Sequence, residues 1–434
     1  MKLIIRTIFL SLLAACVAGS LVAQTARRFP DTRNGIFVFA DQLPNYLSDA
    51  QTAFAASHLV GTQKIPRVQV DAIRTLNPNF ILLHYRLGCE DGPELILIGN
   101  DWTNWKWQMY VNLRNDWFWL NAGARIHNGD WNWQMMDIRQ LGADTWTSYW
   151  REQVADEMRQ NGADGVFADS FDPLIGGFDT ALPPELDYPG AITGLYPQIN
   201  NWAQAILDHF AATPERFLFV PNYGALVTGW NNVLDYTLCD GAMVEGFGEW
   251  GTPPLWGEFG DWQLQMNRCL RIVRAGKALI AQHYLSSAEA VNERMFVLGM
   301  HLLIKGDHTF INMMAGDGLE WYPEYAINLG ASTTPLPASV DDYIDPGLGG
   351  LYRRNFQNGM VLVNPTGAAI SVPSLGATLW RALPSGGGDV PEDGTAPGAV
   401  AYTPVTSISL PSNSAAILML HEPGAAVSGW REYD

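Results

Sequence analysis

Short apolar runs and amphipathic stretches alternate through most of this chain. The apolar runs fall at residues 35–41, 58–61, 79–86, 166–169, 216–222, 241–247, 277–284 and 308–312. Unbroken apolar runs of this length suit strands buried on both faces. Between them, residues 48–57, 66–76, 149–160, 196–212, 262–275 and 288–304 carry helical spacing, with Ser48 as an N-cap and Pro66 near a first turn. Gly162 and the Asp164-Gly165 pair end a helix just before the fourth run.

Strands alternating with helices predict an α/β chain, a closed (β/α)8 barrel over residues 24–333. Residues 88–137 form a long insertion, and residues 173–194 a Pro/Gly-rich loop. Past Pro335 the texture changes to short alternating strands with turn signals, including Asn358-Gly359 as a hairpin turn. A small C-terminal antiparallel β-sandwich over 345–421 is expected, with a Gly/Pro-rich loop at 386–398 and a tail at 422–434. No solenoid-type repeat is present.

The apolar runs share a second property, which is that their C-terminal ends are polar. Asp41, Tyr85 and Arg86, Asp169, Asn222, Glu245, His283 and Asn312 all stand at or near run ends. A charge at the end of a buried strand is costly unless it is paired or used. In a parallel barrel those ends make the active-site rim.

Composition narrows the chemistry. With 26 Lys and Arg against 44 Asp and Glu, the net charge is −18, which argues against nucleic-acid partners and anionic membrane surfaces. The 17 Trp suit either a sugar-binding surface or a large aromatic core. Seven of them, Trp102, Trp105, Trp107, Trp117, Trp119, Trp131 and Trp133, lie in the insertion; Trp102, Trp105, Trp107, Trp131 and Trp133 are a platform or lid or glue onto the barrel, with roughly two of these expected to face the cleft.

Lys2, Arg6 and the apolar stretch 8–15 read as an export signal over residues 1–23. Leu13-Ala14-Ala15-Cys16 also fits a bacterial lipobox that would place a lipid anchor on Cys16; cleavage near Ala23 is the competing reading. The expected location is therefore periplasmic, outer-membrane-anchored or extracellular. Cys89, Cys239 and Cys269 allow at most one disulfide and carry no metal-ligand spacing. No metal site, phosphate loop or nucleotide fingerprint is indicated, so no cofactor is expected.

The runs Trp131-Asn132-Trp133, Met136-Asp137-Ile138-Arg139, Trp150 and Gly165-Val166-Phe167-Ala168-Asp169 together resemble glycoside-hydrolase-like family 15. That is a barrel group related to the α-galactosidase and amylase-type superfamily. The segment from Arg354 to Pro365 resembles the β-sandwich that follows many such barrels. In the related α-galactosidases the nucleophile follows strand four and the acid/base follows strand six. By the count above, the resemblance implies Asp169 as nucleophile and Glu245 as general acid/base, acting on an O-glycosidic bond of a poly- or oligosaccharide.

Each acidic candidate has a structural rival. Asp169 could cap a loop, and Glu245 could pair with a rim arginine such as Arg86. Phe247 and Trp250 are placed to desolvate Glu245 and raise its pKa. Asp172 reads as a loop cap or a sugar-hydroxyl ligand, and Asp137 as a partner of Arg139, a backbone cap or a substrate ligand. Asp41 is a hydroxyl ligand or a buried structural partner; His283 is a core histidine or a sugar ligand. Tyr85, Arg86, Trp131, Asn222 and Asn312 complete the expected substrate-binding set. A polysaccharide-binding lipoprotein without turnover and a transglycosylase are the alternative functions.

Overall fold

The computed structural model describes residues 25–92, 110–175, 177–187, 189–227, 233–248 and 259–424. The expected export signal, Cys16, Trp102, Trp105, Trp107 and Trp250 lie outside these residues. Eight parallel strands form the barrel: β1 Val38–Gln42, β2 Leu59–Lys64, β3 Ile81–Leu87, β4 Gly165–Asp169, β5 Leu218–Pro221, β6 Gly241–Glu245, β7 Ala278–Tyr284 and β8 Thr309–Met314. Their order around the sheet is β5-β4-β3-β2-β1-β8-β7-β6. The parallel bridge Asn222↔Met243 ties β5 to β6 and nearly closes the ring. The predicted fold class and strand count both hold.

Six helices were described on the outside: α1 Asp49–His58, α2 Arg67–Leu76, α3 Trp146–Asn161, α4 Tyr196–Ala212, α5 Phe259–Arg274 and α6 Val291–Ile304. The N-terminus of α1 is a capping box in which Ser48 accepts from the Gln51 backbone and Gln51 reaches back to Ser48. The start of α3, three residues earlier than the spacing predicts, is set by a second capping box, Thr145 with Ser148. Gly162 ends α3 in the left-handed region at φ 66°, where a side chain would be strained. A Cβ on Gly165 would lie 2.4 Å from the Leu218 carbonyl oxygen, so only glycine lets β4 start against β5.

Strand alternation divides the barrel interior into two zones. Phe39, Val60, Ile81, Leu83, Phe167, Leu218, Val220, Met243, Ala278, Ile280 and Phe310 pack together as an apolar plug. Phe29 caps its base, 5.3 Å from Phe310. Two residues further along the strands the inward set becomes polar, with Asp41, Tyr85, Asp169, Asn222, Glu245, Gln282 and Asn312, and four residues further it adds Lys64 and Tyr284. The plug supports this polar mouth from below.

Of the C-terminal strands, six form one antiparallel sheet, and Ile370–Val372 pairs with Ile408–Leu410 as a second. Leu351, Leu362, Val372, Leu379, Ile408, Leu410 and Leu418 fill the space between them. Helix α6 joins this unit to the barrel: a Cβ on Gly299 would sit 2.4 Å from Ala415 Cβ. Arg354 donates to the carbonyls of Leu302 and Leu303, each at 2.9 Å, and satisfies the helix end. Cys89, Cys239 and Cys269 are free and buried. Among the described residues no helix is long and apolar enough to cross a membrane.

Candidate active site

The polar mouth is organised by Asn222, just past β5. Its Nδ2 donates to Asp169 Oδ1 at 2.8 Å and to Glu245 Oε2 at 2.5 Å. Because one nitrogen serves both, the two accepting oxygens are at most about 5.3 Å apart, and about 4.6 Å for the usual divergence of amide N–H bonds. Asp169 also accepts from the Tyr85 hydroxyl at 2.7 Å and from the Ser170 backbone N–H at 2.8 Å, which fixes its rotamer. Glu245 accepts from the Tyr284 hydroxyl at 2.5 Å, and Gln282 in turn donates to that hydroxyl at 2.7 Å.

The two carboxyls sit in different electrostatic settings. Burial raises the pKa of Glu245, the negative charge of Asp169 adds to the rise, and the Tyr284 and Asn222 hydrogen bonds oppose it. Glu245 is therefore inclined to keep its proton beside an acceptor of three hydrogen bonds. Both groups are only half-buried, so a solute can reach them.

Lys64, at the end of β2, donates to Asp41 Oδ2 at 2.8 Å and lies 5.0 Å from the Tyr85 ring centre. Burial disfavours its ammonium, but Asp41, Asp169 and Glu245 outweigh that and raise its pKa. Gln63 also donates to Asp41. Asp41 and Lys64 thus form a buried pair in the same mouth. Among the described residues no three His, Cys, Asp or Glu side chains are grouped to hold a metal ion.

Of the residues singled out from the sequence, Asp41, Tyr85, Asp169, Asn222, Glu245 and Asn312 share this face. The others stand elsewhere. Arg86 faces away from the barrel axis, where its Nε and the His84 Nε2 both meet Glu157 Oε2 of α3 at 2.7 Å. His283 also faces outward, bound to the Phe247 carbonyl at 2.8 Å and Glu293 at 2.9 Å. Asp137 accepts from Arg139 at 2.8 and 2.6 Å, and that guanidinium stacks on Trp119. Asp172 is buried and accepts from the Tyr196 hydroxyl at 3.1 Å. In each of these four the side chain is engaged by the partners just named.

In the described part of the insertion, Trp117 packs against Tyr149 and Trp146 of α3, with centroids 4.9 and 6.4 Å apart. Trp117 and Trp119 are buried, whereas Trp131 is 60% exposed and stacks on Trp133 with centroids 5.6 Å apart. Trp131 therefore offers one flat face to solvent. Lys64, Gln282 and Tyr284 were not singled out from the sequence. A period-two reading anchored on Asp41, Asp169 and Glu245 would have found Lys64 and Tyr284, which stand at the corresponding inward ends of their strands.

No curated protein sequence matches the chain. Among solved structures, the chain is similar to the Nostoc punctiforme debranching enzyme soaked with acarbose. The identity there is 11%, with 91% of this chain and 100% of that chain covered, at a TM-score of 0.40. It is also similar to a GH30 endoxylanase from Clostridium papyrosolvens C71, at 11% identity, 92% and 97% coverage and a TM-score of 0.36. Likeness at that level says nothing about chemistry. The model of hypothetical glycosyl hydrolase family 15 matches residues 74–360, from α2 through the barrel into the first C-terminal strands, and the chain belongs to that family.

Proposed function

We propose that the protein is an exported glycoside hydrolase that cleaves O-glycosidic bonds of a poly- or oligosaccharide with retention of configuration. Asp169 acts as nucleophile and Glu245 as general acid/base. The observation that carries this reading is the shared Asn222 amide. Retaining enzymes hold their two carboxyls about 5–5.5 Å apart, while inverting enzymes need about 6.5–9.5 Å to admit a water. Bridged oxygens at most about 5.3 Å apart, and about 4.6 Å for ordinary amide geometry, lie well short of the inverting range and closer to the retaining one.

In the first step the protonated Glu245 gives its proton to the leaving glycosidic oxygen while Asp169 attacks the anomeric carbon. The bond to the leaving sugar breaks and a glycosyl ester forms on Asp169. In the second step Glu245, now ionised, takes a proton from water, which attacks the anomeric carbon and releases Asp169. Glu245 starts protonated because burial and Asp169 raise its pKa. Once the ester removes the charge of Asp169, the pKa of Glu245 falls and it becomes a base. Tyr284 and Asn222 stabilise that ionised form. The Asp41–Lys64 pair supplies polar groups for sugar hydroxyls, and the exposed face of Trp131 suits the apolar face of a more distant sugar unit.

The test is a panel of aryl glycosides and of bacterial and algal polysaccharides, with the first-formed anomer followed by NMR. Release of product with retained configuration supports the proposal. Binding of polysaccharide by calorimetry with no product from any member would favour a non-catalytic binding protein.

A further inference from the structure

A second cavity, of about 220 Å³, lies where the barrel meets the C-terminal sheet. Its walls include Arg33 ahead of β1, Lys305 and Asp307 between α6 and β8, and Ser332, Thr334 and Arg354 from the C-terminal side. These residues stand at the starts of the barrel strands, so the cavity is at the end opposite the mouth. Its volume is several times the share of one water in the liquid, about 30 Å³. The wall charges do not balance: Arg33, Lys305 and Arg354 face a single acid, Asp307. In a chain of net charge −18 this is a local excess of positive charge. At the rim the charges cancel, since the Asp307 side chain is 65% exposed and lies 4.0 Å from Arg33, which also binds Asp31 at 2.7 Å. The excess therefore sits deeper. Arg354 and Lys305 are both nearly fully buried. Arg354 Nε donates to Ser332 Oγ at 3.0 Å, and Nη1 donates to the Leu302 and Leu303 carbonyls. Its Nη2 has no protein acceptor, and among the described residues no carboxylate pairs with this guanidinium. The Tyr343 and Phe356 rings lie 5.8 and 5.5 Å away and bring no net charge. Lys305 Nζ donates to the Thr32 carbonyl. Carbonyls orient such cations but do not cancel them, and a buried charge without a counter-charge is costly.

We propose that this cavity binds a small oxyanion, a sulfate or phosphate group, through Arg354 Nη2, the Lys305 ammonium and the Thr334 hydroxyl. The Thr334 hydroxyl accepts from the Asn355 N–H at 3.2 Å, and its proton has no protein acceptor, so it can donate into the cavity. The three donors come from separate segments, which suits an anion with oxygens on every side. The field of the two buried cations is felt by His301 of α6, whose ring nitrogens have no partners and which burial, Lys305 and Arg354 together keep neutral. A bound oxyanion relieves that field. It also joins two parts of the chain, because Lys305 follows α6 on the barrel and Arg354 belongs to the strand Leu351–Asn355 of the C-terminal sheet. The site is thus a clamp between barrel and sheet, at the end of a barrel that ordinarily carries stability and not chemistry. The oxyanion is either a free ion or the ester group of a sugar.

The experiment titrates the full chain with sodium sulfate and sodium phosphate, against sodium chloride at equal ionic strength, and reads Tm and the heat of binding. Sulfate also raises Tm non-specifically, through its exclusion from protein surfaces, but that effect does not saturate. A saturable rise with one anion bound per chain is expected. Arg354→Met should weaken binding at least about tenfold, as loss of a charged hydrogen-bond donor does. Arg353→Met removes the same charge from the other face of the strand, where Arg353 pairs with Asp345 at 2.8 Å, and should leave binding unchanged. Because Arg354 also closes the end of α6, a wild-type crystal soaked in selenate decides the matter if Arg354→Met does not fold. The anomalous signal of selenium should then peak within hydrogen-bonding distance of Arg354 Nη2. Glucose 6-sulfate separates the two sources: binding tighter than that of inorganic sulfate assigns an ester-bearing sugar, and equal or weaker binding assigns the free ion. A Tm rise that never saturates, a saturable one unchanged in folded Arg354→Met, or no selenium peak in the cavity would overturn the proposal and leave the assignment at the mouth untouched.

Discussion

Asp169 and Glu245 are 76 positions apart in sequence, at the ends of β4 and β6, yet their carboxylates accept hydrogen bonds from the same nitrogen of Asn222. That nitrogen lies just past β5, the strand between them in chain order. Three consecutive strands therefore bring the proposed nucleophile, an amide and the proposed acid to one point.

That amide makes the first prediction. D169N and E245Q should each lower kcat by about a hundredfold or more, as loss of covalent or proton-transfer chemistry does. Asn222→Ala removes a donor from both carboxylates without removing either one. A kcat loss between about tenfold and a hundredfold, with Tm little changed, is expected for it; thermal melts and steady-state kinetics measure both.

Tyr284 bears on the proposed acid through its hydrogen bond to Glu245. Its hydroxyl donates to Glu245, a bond that favours the ionised carboxylate and so holds the pKa below what burial alone would give. In Tyr284→Phe that restraint is gone and the Glu245 pKa rises further. The alkaline limb of kcat/KM, which reports the proton on the acid, should move to higher pH. A limb that stays put, or moves down, would show that Tyr284 does not act on Glu245.

The Arg86–Glu157 pair separates architecture from chemistry. Both side chains are about 1% exposed, and His84 shares the same carboxylate. Removing one partner of such a pair leaves a buried charge unmatched, so Glu157→Gln should cost about 3–5 kcal/mol of stability. The folded fraction should keep wild-type kcat. Denaturant melts combined with activity per folded molecule check this.

His301 predicts the acid side of the stability curve. It is fully buried on α6, and neither ring nitrogen has a hydrogen-bond partner. Burial, aided by the charges of Lys305 and Arg354, pushes its pKa down to about 3. In the unfolded chain it titrates near about 6.5, so the unfolded state takes up a proton that the folded state refuses. Its effect is absent above about pH 6.5, and stability is lost as pH falls from there towards about 3, at up to about 1.4 kcal/mol per pH unit. His301→Leu should flatten urea midpoints between pH 6 and pH 4 relative to wild type.

Much of the barrel is legible in the sequence because its strands are unbroken apolar runs with carboxylates or amides at their ends. Asp169, Glu245 and Asn222 stand out for that reason. Arg86 and His283 stand out by the same signal, and they face the helices. The side-chain period of a strand is two, so a slip of one residue exchanges the mouth for the helix layer. On β3 the inward residue is Tyr85, with Arg86 beside it; on β7 it is Tyr284, with His283 beside it. Lys64 is obscured because β2 turns polar at Thr62, so its apolar run ends before the strand does.

The most direct test is the mass of the peptide carrying Asp169 after reaction with a 2-deoxy-2-fluoro glycoside matched to the preferred sugar. The account predicts one fluoroglycosyl group on Asp169, formed more slowly in E245Q and absent in D169N. Stable attachment to a different side chain, or turnover with inversion and no adduct at all, would contradict it.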